Sequence, residues 1–146
     1  MSNENSANYL QVQLLKDDAK VPVRAHKTDV GYDLFASENR IIENNQRQLI
    51  STGIAVKIPD GYYGRVAPRS GLSTKGIDIG AGVIDPGYTG ELKVLMINNE
   101  KTWHTVYKGD KIAQLILEKV STPEIKVVNN LDNSDRGDKG FGSTGY

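Results

Sequence analysis

Apolar and polar residues alternate with a period of two in several short stretches of the chain. In "YLQVQLL", residues 9–15, Leu10, Val12 and Leu14 share one face while Gln11 and Gln13 take the other, the pattern of a half-buried strand. The same period recurs in "GIAVKIP" through Ile54, Val56 and Ile58, in "ELKVLMIN" through Leu92, Val94 and Met96, and in "KIAQLILEKV" near the end. Between them lie "PDGYYG", "DPGYTG" and "YKGDK", where glycine supplies positive φ and proline presets the first turn position. Short strands with frequent turns predict an all-β sandwich or barrel. No window sustains a helical period; one short helix is predicted in "SGLSTKG", with Ser70 capping its first turn. There is no internal repeat and no sign of a second domain.

Composition narrows the function classes. The 146 residues suit one domain with its own core, and 18 basic against 18 acidic residues leave a formal net charge of zero. Without a basic surplus or a long lysine or arginine run, polymeric nucleic acid is not an expected partner. The absence of cysteine excludes disulfides and thiolate metal sites. "MSNENSANYL" has neither the basic nor the apolar region of a secretory signal, and no apolar run approaches the roughly 18 residues of a membrane helix. The expectation is a soluble intracellular protein of the cytoplasm or nucleus, with no membrane partner. Residues 1–8 read as a flexible start and residues 9–128 as the β domain. Residues 129–146 are polar and glycine-rich. By composition this segment is a disordered tail; its Phe141, arginine and many backbone N–H groups are also the parts of a lid that orders over an anion.

Four further stretches ask for more than folding explains. "VGYDLFA", 30–36, places Gly31 and Asp33 at a strand entry, where both are normally avoided. "APRSGLSTKG", 67–76, sets Arg69, Ser70 and Gly71 at a helix start, either as an ordinary capped turn or as a phosphate cradle. In "GDKIAQLIL", 109–117, Gln114 sits among apolar residues and needs a partner, backbone or ligand. "GAGVIDPGYTGE", 80–91, packs glycines, Pro86, Asp85 and Tyr88 into a tight turn, and Asp85 is either a turn residue bonding its own backbone or a working carboxylate. His26 and His104 are far apart and show no metal-ligand spacing.

With "RGDKGFGSTG" in the tail, these stretches resemble, in order and spacing, the five motifs of the homotrimeric dUTP pyrophosphatases (dUTPases), over nearly the whole chain. The resemblance implies a jelly-roll-like distorted β-barrel with one short helix, assembled as a homotrimer whose sites are shared, the tail of one subunit closing a pocket between two others. It implies hydrolysis of dUTP to dUMP and pyrophosphate with Mg2+, which keeps dUTP low and supplies dUMP for thymidylate synthesis. Asp85 matches the carboxylate that activates the attacking water. Tyr88 matches the ring that packs on the deoxyribose and refuses a 2′-hydroxyl, and main-chain groups around Gly82 and Ile84 read uracil, with Phe141 stacked over it. The phosphates fall to Arg69, Ser70, Gly71 and Gln114, with Arg136, Gly142, Ser143 and Thr144 of the tail around the γ-phosphate. Mg2+ rides on the triphosphate, with Asp33 holding part of its water shell. One departure is Asp29 and Val30, where small residues are common before the glycine. Two other outcomes of the same fold stand open: a dCTP deaminase, which needs a glutamate over the base, and a catalytically inactive dUTPase-like trimer serving as a binding or structural module.

Overall fold

The computed structural model describes residues 9–142; the N-terminal stretch 1–8, together with Ser143 and Thr144 of the tail, lies outside the described residues. The strands are β1 (Gln11–Leu14), β2 (Gly31–Phe35), β3 (Arg40–Ile42), β4 (Arg47–Lys57), β5 (Tyr62–Ala67), β6 (Ile77–Gly80), β7 (Val83–Ile84), β8 (Glu91–Asn98), β9 (His104–Val106) and β10 (Lys111–Lys119). The one helix among the described residues, α1, is a single turn, Ser70–Ser73. One sheet runs β1-β4-β8-β6, a second β2-β10-β5-β7, and β3 pairs with β9 in a ribbon, all antiparallel. The all-β expectation is met.

Alternation explains why the two large sheets pack. Leu92, Val94 and Met96 of β8 are at most 1% exposed, and they meet Ile54, Val56 and Ile58, Leu34 of β2, and Ile112 and Leu115 of β10 in one core. Burial of each such side chain contributes about 1.5–3 kcal/mol before chain entropy is counted. Val94 and Met96 therefore belong to the interior of the chain rather than to a surface kept for assembly. The first strand departs from its simple pattern: Leu10 and Val12 pack half-buried on the core, whereas Leu14, still paired with Ile54 on this outer strand, stays 45% exposed.

Buried polar groups are spent on joining elements. Asn98 is fully buried; its amide donates to the carbonyls of Ile42 and Thr102 and its oxygen accepts from the Glu100 N–H, tying β8 to β3 and the following turn. The Thr52 hydroxyl donates to Leu92 O at 2.6 Å, and the Glu91 carboxylate accepts from the Gly53 N–H at 2.9 Å. These two bonds bridge the place where β4 and β8 lose register, between Ser51 and Ala55, with Gly53 at φ 72°.

The helix start differs from the sequence reading. Arg69, extended at φ −87° and ψ 138°, is the N-cap, and no side chain caps the turn. Its carbonyl accepts from the N–H groups of Leu72 and Ser73. The chain enters from Pro68, helical backbone begins at Ser70, one residue earlier than a Ser70 cap predicts, and the Ser70 hydroxyl is not used as a cap.

Glu38, between β2 and β3, takes a hydrogen bond from the Ser51 N–H at 2.8 Å and pairs with Arg40 at 2.6 Å. Burial pushes its carboxyl up, but the Ser51 N–H and the Arg40 guanidinium together hold it below the ordinary 4.5. A depressed folded-state value stabilises the fold above about 4.5 and is lost as pH falls through the folded value. Urea titrations at decreasing pH are therefore expected to show Glu38→Gln losing less stability below that point than the parent does.

Candidate active site

The phosphate-type residues of the sequence come together on the outer face of the second sheet. Strand β10 is central there, and Gln114 stands opposite Asp33 of β2 on one side and Ala67 of β5 on the other. The chain leaving β5 at Ala67 delivers Pro68, Arg69, Ser70 and Gly71 beside that row. Asp29, Gly31, Asp33, Arg69, Ser70, Gly71, Lys111 and Gln114 line one open cavity of about 440 Å³. The Gln114 amide donates to Pro68 O at 2.9 Å, the backbone partner left open by the sequence. Gly31 has a steric reason to be glycine: a Cβ there would lie 1.9 Å from Gln114 Oε1. Half-buried Asp33 is flanked by two cations, Arg69 Nε at 3.7 Å from one oxygen and Lys111 Nζ at 3.5 Å from the other.

The hairpin forms a second cavity of about 260 Å³, lined by Leu49, Val83, Ile84, Asp85, Tyr88, Glu91 and Lys93. Gly82, at φ 100°, lies so close to β5 that a Cβ would come within 2.8 Å of Val66 O, and its own carbonyl accepts from the Val66 N–H at 2.7 Å. Strand β7 that follows is the outermost of its sheet, so one row of its N–H and C=O groups faces away from β5. Asp85 ends it at a turn closed by the Tyr88 N–H on Asp85 O at 3.0 Å. Among the described residues no hydrogen bond engages the Asp85 carboxylate, so it is not a turn residue bonding its own backbone. Tyr88 is held by its hydroxyl, which donates to Glu91 O at 2.8 Å, and its ring lies over Gly90, where a Cβ would meet the hydroxyl at 2.7 Å.

The tail joins neither cavity. After the Val120 N–H bonds Gly61 O, the described chain to residue 142 has no strand or helix. Ile125, Val127 and Phe141 are each more than 90% exposed. Arg136 donates to Lys139 O within its own turn, Phe141 takes φ 50°, and Gly142 is exposed. Sequence reasoning missed Lys111 in the cradle and Glu91 and Lys93 in the hairpin cavity. Lys111 stands three residues before Gln114, a spacing that in a regular strand places two side chains on opposite faces.

Comparison with known proteins decides the family. The dUTPase family model matches residues 17–145. The chain belongs to the dUTPase family. It is 53% identical over 127 residues to the deoxyuridine 5′-triphosphate nucleotidohydrolase of Variola virus, covering 87% of this chain and 86% of that protein. The Vaccinia virus (strain Copenhagen) protein of the same name is 51% identical over the same length. Among solved dUTPases, the Staphylococcus bacteriophage 80alpha enzyme with dUpNHpp superposes with a TM-score of 0.89 at 37% identity, over 95% of this chain and 99% of that one. A phage phi11 dUTPase mutant, described with a structural Mg(II) ion, gives a TM-score of 0.81 at 35% identity, over 86% of this chain and 100% of that one. Within this dUTPase fold, Gly31→Ala is expected to push Gln114 off Pro68 O. The lost hydrogen bond costs about 1 kcal/mol, to be read as a Tm lowered by a few degrees, with a rotated Gln114 in a crystal structure of the variant.

Proposed function

We propose that this chain hydrolyses dUTP to dUMP and pyrophosphate, with Asp85 as general base for the water that attacks the α-phosphorus. The observation that carries the reading is the Asp85 carboxylate itself, exposed and free of hydrogen bonds at the end of an edge strand, beside a tyrosine locked in place. Uracil pairs with main-chain groups of the hairpin around Gly82 and Ile84, on the row turned away from β5; the Gly82 carbonyl itself stays on the Val66 N–H. A fixed donor and acceptor there match uracil and oppose cytosine, since each buried polar group left unpaired costs about 1–3 kcal/mol. Tyr88, fixed by Glu91 O, forms the wall against a 2′-hydroxyl. Arg69, Ser70, Gly71 and Gln114 hold phosphate oxygens.

Ile84, Asp85 and Tyr88 line one cavity and Arg69, Ser70, Gly71 and Gln114 another, and the two cavities share no residue. That separation supports a homotrimer in which the hairpin of one subunit faces the cradle of another, and the tail, 129–146, whose described part to residue 142 is largely exposed, supports a lid that reaches a neighbouring subunit. There Phe141 stacks on the base and Arg136, Gly142, Ser143 and Thr144 hold the γ-phosphate. Mg2+ fits this arrangement through the substrate: the cradle offers the half-buried Asp33, and no cluster of three His, Cys, Asp or Glu side chains able to hold a metal occurs among the described residues. Asp33 would take part of the ion's water shell, and the bound ion would offset phosphate charge. A free nucleotide substrate supports work inside the cell, in cytoplasm or nucleus; no described helix is long and apolar enough to cross a membrane.

Pyrophosphate release from dUTP, with UTP, dCTP and dTTP in parallel and with Mg2+ or EDTA, tests the reading. Only dUTP with Mg2+ is expected to turn over. Asp85→Asn is expected to lower kcat by about 100- to 10,000-fold; activity within a few-fold of the parent removes Asp85 from the mechanism. Ending the chain before Arg136 is expected to leave melting and assembly unchanged while abolishing most turnover. Full activity of that truncation would refute the lid.

A further inference from the structure

We propose that Lys111 is a phosphate-binding residue of the cradle, turned into it by a β-bulge at Ile112, and that it holds the pyrophosphate end of the substrate. The inference rests on the cradle's being a triphosphate site.

The argument starts from register. Lys111 stands opposite Phe35, yet Ala113 stands opposite Leu34, so two steps along β10 match one along β2 and Ile112 is the extra residue. Ile112 and Ala113 are consecutive and both at most 1% exposed, so the extra residue sits in the interior with its neighbour. Without the extra residue, Lys111 and Gln114 would lie on opposite faces. With it, Lys111 joins Gln114 and Asp33 on the outer face. A bulge that re-aims one side chain beside a site is a recurrent device.

The surroundings fit a mobile cation. Pairing of β10 with β5 stops at Gln114 opposite Ala67, so the flank beside Lys111 is left to Arg69 and the helix turn. Lys111 and Arg69 both line the cradle and an adjoining cavity of about 390 Å³. Both reach Asp33 at 3.5–3.7 Å, beyond the roughly 2.7–2.9 Å of a charge-assisted hydrogen bond. The cradle's other carboxylate, Asp29, accepts from the His26 N–H. Lys111 is thus loosely paired, and an arriving phosphate oxygen offers it a closer partner. The phosphate next to the sugar belongs with the hairpin, whose cavity shares no residue with the cradle; Lys111 therefore serves the two phosphates beyond it.

Titration calorimetry in Mg2+ with dUpNHpp and with dUMP tests this on the full chain as Lys111→Met and Lys111→Arg. Loss of a charge-assisted contact worth about 1.5–3 kcal/mol weakens dUpNHpp binding by roughly 10- to 150-fold. Lys111→Met is expected to show that loss with dUMP affinity within about two-fold, the dUMP arm confirming an intact fold, and Lys111→Arg to retain most of the dUpNHpp affinity. Unchanged dUpNHpp binding in Lys111→Met, or an equal loss for both ligands, would overturn the assignment while leaving the hydrolase reading in place. A parent protein that binds neither ligand would remove that reading and the assignment with it.

Discussion

The site depends on the register of β10. This strand is the only described one that pairs with both β2 and β5, and its pairing puts Asp33, Gln114 and Ala67 in one row across the sheet. Shifting β10 by one residue would turn Gln114 into the core and a core leucine out. Leu115, fully buried, and Leu34 opposite the bulge resist that slip. Apolar burial in the interior thus sets the positions of polar groups on the surface, and the loop carrying Arg69, Ser70 and Gly71 inherits its place from the same row.

The hairpin is held by another route. Few of its residues are buried, so its shape comes from hydrogen bonds at its base: Tyr88 on Glu91 O, Glu91 on the Gly53 N–H, and Thr52 on Leu92 O. The kink in β4 at Gly53 looks like a fault in the sheet. It presents a backbone N–H that the hairpin's own glutamate can take, and so couples the turn to the longest strand of the fold. Among these groups only the Asp85 carboxylate is left without a hydrogen-bond partner, which suits the role of general base proposed for it.

Much of this was legible in the residues because it repeats locally. Period-two alternation marked β4, β8 and β10, and the glycine and proline spacing marked the hairpin, since both follow from backbone geometry within a few residues. What escaped was set across strands. The bulge at Ile112 leaves no local signature, because isoleucine suits a buried bulge and a regular strand equally. Lys111 was hidden for that reason. Gly31 seemed misplaced in a strand until Gln114, more than eighty residues later in the chain, was seen to fill the space of its missing side chain. The helix start fell to Arg69 rather than Ser70: Arg69 is the extended N-cap and no side chain caps the turn, so the capping preference of serine went unused.

Strand β7, two residues long and at the rim of its sheet, has a consequence for the history of such a protein. On the proposed reading the base is recognised by peptide groups, which every residue type except proline carries alike. The exposed side chain at Val83 is then free to drift without eroding the choice between uracil and cytosine, while Ile84, packed against the core, is kept for folding. The vulnerability moves to Gly82, where any side chain would strike Val66 O. Selectivity written in the main chain is robust to most single-residue changes and fragile at one.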